Sequence, residues 1–194
     1  MLREKLRNHH LILASGSPRR QDLFNQLDVP FTIQVKKVHE IYPDHLKASE
    51  ITDYLADLKS KPFSNLKNND LLITSDTIVW FEGKAIGKPK NREDAFYMLK
   101  RMSGKVHEVC TSVSIKSLNF QTIFSDKTLV EFEEISEEEI DYYLKKFKPY
   151  DKAGSYGIQD WIGLIGVKKI TGSYFNVMGL PVHKLYKELL KIAK

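Results

Sequence analysis

The chain has 194 residues, 42% of them hydrophobic, enough for one sizeable core or for two small lobes. Its formal net charge of +5, from 30 basic against 25 acidic residues, is mild and its lysines are scattered, which fits a small anionic ligand better than a nucleic acid. One cysteine leaves no intrachain disulfide, no apolar run approaches the ~20 residues of a membrane span, and Met1 to Arg7 lacks the apolar stretch of a secretory signal. The expected setting is a reducing cytoplasm.

In chain order, Leu11 to Ala14 reads as a strand, followed by Ser15-Gly16-Ser17-Pro18-Arg19-Arg20 and a helical pattern at Leu23, Phe24 and Leu27. Pro18 suits the first helical position, and Ser17 either caps that helix or gives its hydroxyl to a ligand. Small residues turning a strand into a helix that carries two arginines could cradle phosphate on unpaired N–H groups. The same segment also reads as an ordinary capped helix with solvated arginines, and it has no Gly-Lys-Ser/Thr ending of a P-loop.

Phe31 to Val35 is the next strand. Ile51, Tyr54, Leu55 and Leu58 recur at helical spacing, which predicts a helix from Ser49 to about Ser60, ended by Lys61-Pro62. Leu71 to Ser75 and Thr77 to Phe81 are apolar and β-branched, and Glu82-Gly83-Lys84 reads as a tight turn into Ala85-Ile86. Asn91 caps a helix closed by Ser103-Gly104. Val106 to Ile115 and Thr122 to Phe132 are long strands joined near Asn119. Ser136 with Glu139 makes a capping box for a helix to Lys146, which accounts for the acidic run Glu131 to Asp141 without a ligand. Ile162 to Ile170 reads as a strand, and Pro181 opens a last helix with Val182, Leu185, Tyr186, Leu189 and Leu190 on one face. Alternating strands and helices predict an α/β or α+β chain forming a single domain over 1–194.

Asp76 stands out because it interrupts an apolar strand. A carboxylate there either faces water at a strand end or bulge, or is paired, metal-bound or poised as a general base. Glu40, after Lys36-Lys37-Val38-His39, would complete a carboxylate pair suited to a hard divalent cation if the fold joins the two. Lys88, between Gly87 and Pro89, is either a solvated turn lysine or a phosphate cation. Asp151 to Gln159 is rich in small residues, so it is either a connector or a backbone packed around a ligand, with Gln159 able to read a base or touch phosphate. Gly172 to Pro181 has the same character. Cys110 reads as core filling, and His9-His10 as a solvent-facing pair rather than a metal site.

Taken together, Ser-Gly-Ser-Pro-Arg-Arg (15–20), Ser-Asp-Thr-Ile-Val (75–79), Gly-Lys-Pro (87–89), Ser-Gly (103–104) with His107, Asp-Lys-Ala-Gly-Ser-Tyr-Gly-Ile-Gln (151–159) and Gly-Ser-Tyr to Gly-Leu-Pro (172–181) resemble the Maf family of nucleotide pyrophosphatases in order and spacing. The resemblance runs from about Leu11 to Leu190. It implies an α/β fold with an extended, twisted mixed sheet, flanking helices and two lobes around a deep cleft. It also implies hydrolysis of a nucleoside triphosphate to the monophosphate and pyrophosphate with Mg²⁺ or Mn²⁺, a role in clearing nucleotide pools, and a homodimer. By position, Ser15, Arg19, Arg20, Lys59, Lys88 and Gln159 would bind substrate phosphates or lie in the site. Glu40 and Asp76 would hold the metal, with Asp76 as the base.

Asp-Thr-Ile-Val and Ala-Gly-Ser-Tyr-Gly-Ile-Gln look like the branch acting on dTTP and UTP rather than the one acting on 7-methyl-GTP. Val38 departs from a commonly acidic position and Ser60 from a usual alanine. Family members are also linked to arrest of septum formation, so a nucleotide-binding regulator with little catalysis is the competing expectation.

Overall fold

The computed structural model describes residues 1–193. A one-turn helix α1 (Leu2–Lys5) leads into β1 (His10–Leu13), α2 (Pro18–Gln26) and β2 (Phe31–Ile33). Next come α3 (Ser49–Ser60), β3 (Asp70–Phe81), β4 (Lys84–Ile86), α4 (Arg92–Met102), β5 (Val106–Lys116) and β6 (Gln121–Phe132). The chain closes with α5 (Glu137–Phe147), a single 3-10 turn at Ala153–Ser155, α6 (Trp161–Gly166), β7 (Val167–Thr171), α7 (Tyr174–Val177) and α8 (Val182–Ile192).

The strands form one mixed sheet in the order β2-β1-β3-β5-β6-β7, with β4 paired to β3. β1 runs parallel to both neighbours, setting Leu11 opposite Phe31 and Leu71. β4 is antiparallel to β3, and β7 is antiparallel to β6. Parallel strands need covered faces, and the unbroken burial of Leu11, Ile12, Leu13, Leu71, Leu72 and Ile73 meets that need.

The described residues divide into two compact units. The first comprises 1–76, 111–126 and 179–193, the second 77–110 and 127–178. In the first, Leu23 and Phe24 of α2, Ile51 and Leu55 of α3, and Leu185 and Leu189 of α8 are buried, the last two pairs at helical spacing. The second has one continuous apolar core that includes Val79, Leu99, Met102, Phe132, Tyr143 and Ile162.

Local signals in the sequence are largely realised. Pro18 occupies the first turn of α2 behind Ser17. The Asn91 side chain accepts the Asp94 N–H at 2.8 Å, and Ser136 with Glu139 forms the full capping box. Glu82 and Gly83 both take positive φ, +50° and +76°, which is the geometry that lets a two-residue hairpin turn follow strand twist.

β3 is continuous, so Asp76 lies inside an apolar strand as expected. One expectation is corrected. The stretch expected as a strand over Ile162 to Ile170 is helical up to Gly166 and becomes strand only at Val167. Ile162 and Gly166 are buried four residues apart while Leu164 is 81% exposed, a helical pattern too short to be told from a strand by apolar content alone.

Candidate active site

In the first unit, β1 is hydrogen-bonded beside β3 up to Ala14, whose N–H donates to the Ile73 carbonyl at 2.8 Å. The chain then turns through Ser15, whose hydroxyl accepts the Ser17 N–H at 3.3 Å. Gln21 braces the turn from α2 by donating to the Ser15 carbonyl at 3.1 Å. Arg19 and Arg20 follow in the first turn of the helix, both partly buried. Arg20 reaches back to the sheet: Nη1 donates to the Ser75 carbonyl at 3.1 Å and Nε to the Gly179 carbonyl at 2.8 Å. Burial lowers the Arg20 pKa from its ordinary value, against the pull of Asp76 and Glu40 and with the push of Arg19. A guanidinium stays charged through such a shift.

The carboxylate expected to matter is buried: Asp76 is 5% exposed. Lys59, at the end of α3, explains how it is tolerated. Its Nζ lies 2.6 Å from Asp76 Oδ1 and 3.2 Å from Glu40 Oε1, so one ammonium bridges both acids. The second Asp76 oxygen, Oδ2, is buried without a hydrogen-bond partner, as is the neighbouring Ser75 hydroxyl. A buried anionic oxygen without a donor is costly unless a cation or donor comes to it. Two carboxylates with one such oxygen fit a hard divalent cation that takes its remaining ligands from phosphate and water. No group of three metal-ligating side chains occurs among the described residues.

In the second unit, Lys88 is exposed after β4, and Gln159 is exposed between the 3-10 turn and α6. Their loops are tied together, with the Gly154 N–H donating to the Gly87 carbonyl at 3.0 Å. Beneath Gln159 the segment is pinned by Tyr143, whose hydroxyl donates to Asp160 Oδ2 at 2.8 Å and accepts the Gly157 N–H at 3.1 Å. Burial, then the Asp160 carboxylate, push the Tyr143 pKa well up, so the phenol stays a donor. Tyr156 packs edge-on against His107 and Phe132, and its hydroxyl is 2.7 Å from His107 Nε2.

Gly163 makes the tightest approach in this region. A Cβ built there would lie 1.9 Å from the Ile158 carbonyl oxygen, which is backbone and cannot swing aside. Gly163→Ala is therefore expected to destabilise the protein by about 1–3 kcal/mol and to displace the turn that presents Gln159. A urea titration measures it, and an unchanged midpoint would contradict the reading.

The structure thus joins Ser15, Arg20, Lys59, Glu40 and Asp76 in the first unit and places Lys88 and Gln159 in the second. The sequence did not reveal that Lys59 bridges the two acids, that Arg20 grips two carbonyls, or that Tyr143 pins the Gln159 turn. For Tyr143 no signal existed, since it reads as one more apolar-face residue of α5. Cys110 is buried, as core filling requires. His10 differs from its expected solvation: its ring joins Asp70 through Nδ1 at 2.9 Å and the Thr32 hydroxyl through Nε2 at 3.0 Å.

A mixed sheet with flanking helices and a buried carboxylate held by lysine, beside an arginine-bearing helix start, define an α/β protein with a charged, partly buried site. A family model described as Maf-like protein matches residues 10–192, so the chain belongs to the Maf family. It is 57% identical to a dTTP/UTP pyrophosphatase of Christiangramia forsetii, over 97% of each chain. It is 56% identical to a dTTP/UTP pyrophosphatase of Flavobacterium johnsoniae, over 97% of this chain and 98% of that one. The Staphylococcus aureus Ham1 protein has a similar fold at a TM-score of 0.53 and 13% identity, covering 94% of this chain and 99% of that one. No helix among the described residues is long and apolar enough to cross a membrane.

Proposed function

We propose that this protein is a nucleoside triphosphate pyrophosphatase acting on dTTP and UTP as a single catalytic domain, releasing the monophosphate and pyrophosphate. The observation that carries the reading is the buried Asp76, anchored through one oxygen by Lys59 and keeping the other without a partner, next to the Ser75 carbonyl that Arg20 grips. High identity over nearly full length to chains named dTTP/UTP pyrophosphatases supports the substrate. The same finding favours turnover over the regulator reading.

A triphosphate carries about four negative charges, so water attacks the α-phosphorus only when cations and donors mask them. Arg19, Arg20 and Lys59 supply fixed positive charge in the first unit, and the Ser15 hydroxyl can donate to a phosphate oxygen. The Asp76 carboxylate orients the attacking water and takes its proton as the water oxygen bonds to the α-phosphorus, while the bond from the α-phosphorus to the bridging oxygen breaks and pyrophosphate leaves with that oxygen. Asp76 and Glu40 would hold a divalent cation, which when bound lowers the pKa of water and offsets phosphate charge. For Lys88 and Gln159, family resemblance supports a role in binding substrate.

The test is pyrophosphate release from a panel of nucleotides with Mg²⁺ and with Mn²⁺. Turnover of dTTP and UTP well above that of purine nucleotides is expected. Tight nucleotide binding with no pyrophosphate released would favour the regulator instead.

A further inference from the structure

Lys59 has two partners where one would satisfy a simple ion pair. Its side chain is 17% exposed, and its ammonium is shared between a buried carboxylate at 2.6 Å and a half-exposed one at 3.2 Å. Arg20 adds a second cation whose charge interacts with both acids. The two negative charges that could attract a divalent cation are therefore already balanced by two positive ones from the protein itself.

We propose that Lys59 is a resident counter-cation that competes with a divalent metal for Asp76 and Glu40, and thereby couples metal binding to triphosphate binding. The inference rests on the proposed metal site and adds its order of assembly. Without nucleotide the acids bind metal weakly because the ammonium's charge repels a second cation from the same two carboxylates. With nucleotide the ammonium has a better anion to face, and metal binds tightly. The coupling is reciprocal, so metal strengthens nucleotide binding by the same factor. Such a device keeps Asp76 from being occupied by stray cations when no substrate is present.

Mn²⁺ binding by calorimetry, alone and with the non-hydrolysable α,β-methylene analogue of dTTP, tests this without turnover. For the unaltered protein, the analogue should tighten Mn²⁺ binding by about 5- to 100-fold, the usual range of coupling. Lys59→Met and Lys59→Gln should each bind Mn²⁺ alone more tightly by a comparable factor, with the effect of the analogue reduced in proportion. Lys59→Arg should keep the unaltered pattern.

Two failures are distinguishable. If Asp76→Asn and Glu40→Gln leave Mn²⁺ binding unchanged, the metal site is wrong and the inference falls with it. If those two weaken Mn²⁺ but neither neutral Lys59 variant strengthens it, the metal site stands and the competition is overturned. An unaltered protein that binds Mn²⁺ equally well with and without the analogue overturns it without any variant. A lysine that only contacts phosphate predicts weaker analogue binding in Lys59→Met and no change in Mn²⁺ binding alone.

Discussion

Asp76→Asn is expected to lower kcat for dTTP by about 100- to 1,000-fold, near 3–4 kcal/mol in the barrier, the scale of removing one key electrostatic group. The substitution keeps shape and leaves an amide oxygen to accept from Lys59, which is 2.6 Å from Oδ1 in the native protein. What it removes is negative charge, and with it the ability of the carboxylate to take a proton from water. Burial makes the loss severe, because at 5% exposure bulk water cannot replace the missing base. The fold should survive, since neutralising a buried carboxylate lowers a desolvation cost and Lys59 retains Glu40 at 3.2 Å. Steady-state pyrophosphate release with a parallel thermal melt is the measurement. A native melt with native turnover would sink the assignment of Asp76.

The second large effect concerns stability in acid. His107 is 2% exposed, and burial pushes its pKa down from 6.5 to about 4. Above pH 6.5 the ring is neutral folded and unfolded, so it contributes no pH dependence. Between pH 6.5 and 4 the unfolded chain binds a proton that the folded one refuses, so stability falls as pH falls through this window and levels off below it. Integrated over the shift, the loss is about 3 kcal/mol. The phenol of Tyr156 is held neutral by its own burial, so it offers His107 no counter-charge.

Replacing the pair together, His107→Phe with Tyr156→Phe, keeps the aromatic cluster with Phe132 and leaves no orphaned partner. Urea unfolding of both proteins at several pH values from 7 to 4 checks it. The difference in their slopes should equal about one proton, and parallel profiles would rule out His107 as the acid-sensitive group.

The contrast between these two residues shows what kind of information each carries. Asp76 was visible because a carboxylate in a β-branched apolar run has few cheap explanations. His107 stands in the sequence only as part of a family pattern, and nothing around it in the chain announces burial against Tyr156, which is 49 residues away. Likewise Lys59 looked like the last lysine of an amphipathic helix. Its two carboxylate partners come from a loop and a strand that meet it only once β1 and β3 are paired.

Local chemistry in the chain was sufficient for the helix starts at Pro18, Asn91 and Ser136, the turn at Glu82-Gly83 and the strand cores, because caps, φ preferences and apolar spacing act within a few residues. It failed at Trp161 to Gly166, where six mostly apolar residues satisfy either period and long-range packing of Ile162 and Gly166 settled the choice. Tertiary structure alone decided which charges meet: that one ammonium faces both acids, that Arg20 ties Ser75 to Gly179, and that an oxygen of Asp76 is left buried without a donor. Those are Coulombic and hydrogen-bond facts about atoms far apart along the chain. No short-range pattern encodes them, since their energies depend on distance and solvent exclusion that exist only after folding.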